Sequence, residues 1–296
     1  MNEHEALVER AVRSTGTIAL VGALDAGKST LAQALLEAAL AEGHSCALVD
    51  ADVGQKTIGP PTMVTLKMIS GSADLAPENL RIPDAMHFAE STSPQGHMLP
   101  IVTGTGRLVV EARRRGARFI VVDTSGLVSG VYGQLLKYHK FELIEPDIVV
   151  GIRRGEELSP ILGIAQRFFD CEVVALNVHQ DVVPTSADVR ASRREEAMRD
   201  YFSGQLSRWR VKPTVFMPVP PPLFDLAQME RLLVGLSDGQ GSYLGLGYLE
   251  AGEDDGTVRL VSPVAEAPKA LRLGSVRLDD NLGVRRVDLR NMFGTD

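Results

Sequence analysis

Gly22-Ala-Leu-Asp25-Ala-Gly27-Lys28-Ser29-Thr30 follows the apolar run Thr17-Ile-Ala-Leu-Val21 and leads into a helix-period segment that begins at Leu31. Strand, glycine-bounded loop and helix in that order are the setting a phosphate-binding P-loop requires. The glycines let backbone N–H groups turn inward around phosphate oxygens, and the helix N-terminus adds partial positive charge. The loop residues Gly22, Ala23, Leu24, Asp25, Ala26 and Gly27 would then wrap the phosphates of a nucleotide, with Ser29 and Thr30 opening the helix. Lys28 is placed to reach the β- and γ-phosphates, and the Ser29 hydroxyl to ligate Mg²⁺. A tight turn with a surface lysine would not need every fixed position of the motif filled in this setting.

Two strand patterns end in carboxylates. Ser45-Cys-Ala-Leu-Val49 runs into Asp50-Ala-Asp52-Val-Gly54-Gln55, and Arg118-Phe-Ile-Val-Val122 delivers Asp123-Thr124-Ser125-Gly126. In a parallel sheet the carboxyl ends of the strands share one edge, where ligands bind. Asp52 is therefore expected on the Mg²⁺ side of the P-loop. Asp123, after four apolar residues, has the Walker B form. The two compete for the metal-side role. An acidic strand end explains either aspartate alone, but less easily the whole Asp-x-Asp-x-Gly-Gln run beside a P-loop.

The rest of the first two hundred residues alternates between strand and helix patterns. Residues 5–14 read as a short helix without visible chemistry, and the helix after the P-loop stops at Gly43. Residues 63–69 alternate as a strand, and 70–83 read as a polar connection. Residues 91–97 form a polar loop before an apolar helix near Leu99; Ser93 and Pro94 suggest a capped helix entry, with His97 equally a structural or a catalytic residue. Arg113-Arg114-Arg115 reads as a solvated helix end. Helix patterns over 130–143 and 156–169 alternate with strands over 147–152 and 171–176. This repetition predicts an α/β fold, a doubly wound and mostly parallel sheet in three layers. A helix over about 188–203 carries Arg190, Arg193, Arg194 and Arg199. Arg190 and Arg194 lie one turn apart and would close over the nucleotide as a lid, although a wet face explains such a helix equally well. Asn177-Val-His-Gln-Asp181 lacks the spacing and the lysine of a guanine-reading motif, which favours ATP or a relaxed base preference.

From Lys212 the pattern changes. Pro213, Pro218 and Pro220-Pro221-Pro222 mark a linker, 224–233 reads as one helix, and short strand patterns fall at 243–249, 257–261, 270–278 and 284–289. The expected organisation is an N-terminal extension (1–16), a nucleotide-binding domain (17–212) and a small β-rich domain (213–296). Arg272, Arg277, Arg285 and Arg286 give the last module basic strips suited to a nucleic-acid backbone or to an exposed sheet face. The net charge of −7 confines any nucleic-acid contact to a local patch. Cys46 and Cys171 sit in apolar runs and are expected to be buried thiols, as in a reducing cytosol. The polar start and the lack of any membrane-length apolar window point to a cytoplasmic protein.

Taken together, the P-loop with its internal Asp25, the run Val49-Asp50-Ala-Asp52-Val-Gly54-Gln55 and the run Val122-Asp123-Thr124-Ser125-Gly126-Leu127 resemble the P-loop polynucleotide 5′-hydroxyl kinases. That family includes the RNA kinases of pre-mRNA 3′-end cleavage and of ribosomal RNA processing. The resemblance spans residues 16–204 and is supported by Gly59-Pro60-Pro61, Ser93-Pro94 and Arg199-Asp-Tyr201-Phe202. It implies ATP and Mg²⁺ as cofactors, and a 5′-OH nucleic-acid end, RNA before DNA, as the partner. By resemblance Lys28 and Ser29 handle phosphate and metal, and Asp52 lies near the attacking hydroxyl and the metal. Gln55 and the clasp Thr124-Ser125-Gly126 lie beside the loop and substrate, and Arg190 and Arg194 form the lid. Leu127 stands where larger eukaryotic members carry tryptophan, and residues before Gly16 leave no room for their N-terminal β-domain, as in a short prokaryote-type member. Two other classes stay open: a nucleotide switch or GTPase, suggested by Asp123-Thr-Ser-Gly126, and an adaptor that keeps ATP without turning it over.

Overall fold

The computed structural model describes residues 3–13, 15–252 and 257–294. The strands of the first sheet are β1 (Gly16–Gly22), β2 (Cys46–Ala51), β3 (Met63–Ile69), β4 (Ala85–Phe88), β5 (Phe119–Thr124), β6 (Ile148–Arg153) and β7 (Glu172–Asn177). Its order is β4-β3-β2-β5-β1-β6-β7. The five strands from β2 to β7 in that order run parallel, while β3 and β4 join antiparallel at one edge. Helices α1 (Glu3–Ala11) and α2 (Lys28–Ala41) cover one face. Beyond them lies α3 (Pro77–Leu80), one of two short helical turns where the sequence reads as plain connection. Helices α4 (Met98–Arg114), α5 (Gly130–Ile144) and α6 (Ser159–Phe168) cover the opposite face. Burial on both faces explains why the central strands read as continuous apolar runs. Ser14, the last residue of the helix expected at the N-terminus, lies outside the described residues.

Helix α7 (Ala187–Tyr201) starts at Ser186, whose Oγ accepts from the Val189 N–H at 3.2 Å, and leads to the second sheet. Its strands are β8 (Ser207–Val211), β9 (Phe216–Met217), β10 (Leu232–Ser237), β11 (Tyr243–Ala251), β12 (Val258–Ser262), β13 (Ala270–Leu278) and β14 (Val284–Arg286). The antiparallel path runs β14-β13-β10-β11-β12-β8, and β9 adds to β13 in parallel. The chain then forms α8 (Leu289–Phe293).

Four expectations are corrected. The helix read over 224–233 is a short 3₁₀ turn, Leu226–Met229, followed by the central strand β10. Leu232, Leu233, Val234 and Leu236 are buried on both faces, and a short all-apolar run carries no period that separates helix from strand. The last strand stops at Arg286, and Leu289 instead opens α8 behind the Asp288 cap. Helix α4 starts at Met98, as the apolar pattern near Leu99 implies, but Ser93 does not cap it: its Oγ accepts from Gln95 N–H in a local turn, and His97 precedes the helix. Strand β8 precedes the prolines yet pairs with β12, so we place the start of the second module near Ser207.

The two sheets share a core. Met63 and Phe88 at the β3–β4 edge and Met198 and Phe202 at the end of α7 pack with Leu233, Leu246, Tyr248 and Val276. Polar ties add to it: Leu246 N–H donates to the Tyr201 hydroxyl at 2.8 Å, Ser275 N–H donates to Glu90 O at 2.8 Å, and Arg272 pairs with Glu90. Each large side chain buried at such a seam stabilises by roughly 1.5–3 kcal/mol. The second sheet is thereby held beside the end of the first sheet where the aspartates emerge.

Candidate phosphoryl-transfer site

The P-loop joins β1 to α2. Gly27 caps α2 at φ 93°, a left-handed conformation that a side chain would strain. Asp25 also lies in the left-handed region, at φ 53°, which aspartate tolerates better than most residues. Its Oδ2 accepts from Thr185 N–H at 2.9 Å and faces the Arg190 guanidinium at 3.3 Å, so the loop and the start of α7 are joined. Lys28 is buried, and its Nζ donates to Gly22 O (3.1 Å) and Ala23 O (2.9 Å) across the loop.

Asp50, Asp52 and Asp123 have three different fates. Asp50 and Asp123 stand side by side in register on β2 and β5. Asp50 is taken by structure: Lys56 Nζ lies 3.0 Å from its Oδ1, and Thr57 and Ile58 N–H donate to its Oδ2 at 2.7 and 3.0 Å. Both side chains of this pair are 2% exposed, and burial lowers the Lys56 pKa from its ordinary value against the pull of Asp50. Removing one member of a buried pair leaves an uncompensated charge. Lys56→Ala is therefore expected to cost about 3–5 kcal/mol and to lower Tm by roughly 6–20 °C in a calorimetric scan. A shift under a degree would mean that Asp50 is not held as a buried charge.

Asp123 accepts from the Ser29 hydroxyl at 2.6 Å through Oδ2, while its buried Oδ1 has no partner among the described residues. Burial pushes its carboxyl up to about 6; the Lys28 ammonium opposes this, and the charge of Asp50 adds to it. A hydroxyl and a carboxylate meeting in a desolvated spot, with one carboxylate oxygen unpaired, fit a hard divalent cation that takes oxygen ligands and keeps several waters. Asp52 is neither captured nor on Ser29. Its Oδ1 accepts from Gly54 N–H (2.9 Å) and Gln55 N–H (3.0 Å), which leaves Oδ2 for chemistry.

Two cavities meet here. One, of about 430 Å³, is lined by the P-loop, Lys28, Ser29, Asp123, Arg193 and Arg194. The other, of about 410 Å³, is lined by residues 92–95, Ser125, Gly126 and Leu127, with Arg190, Arg194 and Arg286. Asp52 and Arg194 line both.

The lid reading is thus adjusted in detail. Arg194 stands between the cavities, whereas Arg190 is held by Asp25 and belongs to the second one. Arg193, passed over in the choice of lid residues, lines the first. Gln55 Nε2 donates to Arg190 O at 3.3 Å, tying the aspartate loop to the lid. Within the clasp, the Thr124 hydroxyl donates to Leu20 O at 2.7 Å, so it serves the sheet. The Ser125 hydroxyl is buried without a partner among the described residues. A Cβ on Gly126 would sit 2.8 Å from Leu24 N, so only glycine lets the clasp lie against the P-loop. His97 lines neither cavity, and its Nε2 meets Ser275 Oγ at 2.8 Å as a tie to the second sheet. The triple arginine is likewise split: Arg114 and Arg115 pair with Glu111, but Arg113 reaches inward to Thr17 Oγ1 and Ile144 O. Cys46 is buried, and Cys171 only partly so.

Lys137 and Lys140 escaped the sequence reading altogether. Both are fully buried beneath the aspartates, and they donate to Ser125 O (2.7 Å) and Ala51 O (3.3 Å). Burial pushes both ammonium groups down, Lys140 to about 8. A signal existed: they share the helical stripe of Leu136, Phe141 and Ile144, where a lysine needs an acidic neighbour.

Residues 22–204 match the family described as mRNA cleavage and polyadenylation factor CLP1 P-loop. The chain belongs to the CLP1 P-loop family. Among relatives of this CLP1-family chain is the polyribonucleotide 5′-hydroxyl-kinase of Methanocaldococcus jannaschii, 28% identical over 321 residues, covering 89% of this chain and 87% of that protein. The polyribonucleotide 5′-hydroxyl-kinase of Thermococcus kodakarensis is 27% identical over 328 residues, covering 92% of each. Clp1 of Rattus norvegicus, which bears the same kinase name, is 29% identical over 218 residues, 69% of this chain and 50% of that protein. Clp1p in its wild-type complex with Pcf11p superposes with a TM-score of 0.69 at 14% identity, covering 93% of this chain and 77% of Clp1p, which supports the fold. No helix among the described residues is long and apolar enough to cross a membrane.

Proposed function

We propose that this CLP1-family chain is an ATP-dependent polynucleotide 5′-hydroxyl kinase that acts on RNA ends before DNA ends. One observation carries the reading: a donor cavity on the P-loop and an acceptor cavity on the clasp meet at Asp52 and Arg194. Phosphoryl transfer needs positioning and charge stabilisation more than covalent help. Lys28 and the loop N–H groups hold the β- and γ-phosphates. Ser29 and Asp123 would hold magnesium, which would neutralise charge on the phosphate oxygens. Asp52 Oδ2 orients the 5′-hydroxyl and takes its proton as the new O–P bond forms and the bond from the γ-phosphorus to the β–γ bridging oxygen breaks, releasing ADP, while Arg194 stabilises the transferring phosphoryl group. The nucleotide base takes the groove of about 530 Å³ that shares Gly27 and Thr30 with the donor cavity and is lined by His4, Val8 and His179.

The test is transfer of labelled γ-phosphate from ATP to 5′-OH RNA, 5′-OH DNA and duplex ends. Labelled RNA ends are the expected product, formed faster than labelled DNA ends. GTP hydrolysis without transfer to any end would return the chain to the switch reading. Tight ATP retention without turnover would make it an adaptor.

A further inference from the structure

Transfer chemistry gives the second sheet no task, yet its edge strand reaches the acceptor cavity. Val284 and Arg286, two apart on β14, both line it, as strand alternation requires of residues on one face. Arg285 between them does not line it, and lies 3.7 Å from Asp279 Oδ2. Arg286 is exposed, and its guanidinium has neither a hydrogen bond nor an ion pair among the described residues.

Its position is well anchored. Val287 N–H donates to Ser275 O at 3.0 Å, Ser275 N–H to Glu90 O at 2.8 Å, and the Ser275 hydroxyl meets His97 beyond the 92–95 wall of the cavity. The lining carries three guanidinium groups, Arg190, Arg194 and Arg286, against one carboxylate, Asp52. Arg190 is already paired with Asp25, and Arg194 is shared with the donor cavity. No aromatic side chain is in the lining, so base stacking, worth about 1–3 kcal/mol per base where it occurs, is not available there. An acceptor must be gripped through its anions.

We propose that Arg286 binds the first internal phosphate of the acceptor strand, the one joining its first and second nucleotides, and so selects polynucleotide ends over free nucleosides with little base preference. The assignment rests on the kinase reading for which end of the strand enters. The second sheet then contributes to substrate selection from outside the nucleotide-binding domain.

The experiment titrates a 3′-labelled 5′-OH RNA decamer with the whole protein, by fluorescence anisotropy between 50 and 200 mM salt, in wild type, Arg286→Ala, Arg286→Lys and Arg285→Ala. Arg286→Ala is expected to weaken binding about tenfold and to flatten the log–log salt slope by about 0.7, the loss of one single-strand phosphate contact. Arg286→Lys should recover part of both, and Arg285→Ala, which removes equal charge from the other face, should change affinity less than twofold. In the transfer assay Arg286→Ala should raise KM for RNA about tenfold and leave kcat and KM for ATP unchanged. Equal losses in Arg285→Ala and Arg286→Ala, or a wild-type slope in Arg286→Ala, would overturn the assignment. Wild-type RNA binding with the expected slope losses but no phosphate transfer would overturn the kinase reading and leave the phosphate contact standing.

Discussion

Lys28→Ala is expected to abolish γ-phosphate transfer, lowering kcat by about 10³-fold or more, while leaving the protein folded. Removing a single neutral donor from a developing negative charge already costs about 10²–10³-fold, and Lys28 carries a full charge in a desolvated loop. Its ammonium is spent on two loop carbonyls, Gly22 O and Ala23 O, and those bonds can be exchanged for phosphate oxygens without moving the helix. Alanine is also the best helix former at the first residue of α2, so thermal unfolding should stay close to wild type. Rapid-quench measurement with labelled ATP and a 5′-OH oligonucleotide checks the rate. Residual transfer above a tenth of the wild-type rate would show that the phosphates are held elsewhere.

Asp52→Asn is the second large effect, a fall in kcat of about 10²–10⁴-fold with KM for ATP nearly unchanged. The asparagine carbonyl can still accept from Gly54 and Gln55 N–H, so the loop geometry should survive. What is lost is the oxygen able to take the hydroxyl proton. Steady-state kinetics over saturating ATP and RNA separate this outcome from a binding defect. A decrease smaller than tenfold would remove Asp52 from proton transfer and leave it as a loop anchor.

Much of this site was legible in the linear chain because its parts are local. The P-loop is nine consecutive residues, and a strand that ends in aspartate announces itself through apolar residues followed by a carboxylate. The resemblance carried by three such segments points to the family. Legibility failed where burial erased period, as in β10, where Leu232 and Leu233 read as the end of a helix. It also failed where a polar residue served a distant partner. Arg113 reads as part of a wet helix end, yet it bonds to Thr17 and Ile144. Lys137 and Lys140 look like ordinary helix lysines until the sheet edge above them is known to carry Asp50 and Asp123, with Asp52 in the loop beyond.

Sequence alone determined the nucleotide loop, the parallel α/β frame and the set of carboxylates at its edge, since each is written in residues a few places apart. The division of labour among those carboxylates was decided only by tertiary structure. Lys56 captures Asp50, Ser29 meets Asp123 from 94 positions away in the chain, and Asp52 is left at the junction of two cavities. The placing of Arg286 beside the clasp was decided the same way, through a seam between two sheets. Local propensity acts over a few residues. Desolvation and ion pairing depend on which charges the fold brings within reach, and that is a property of the packed chain.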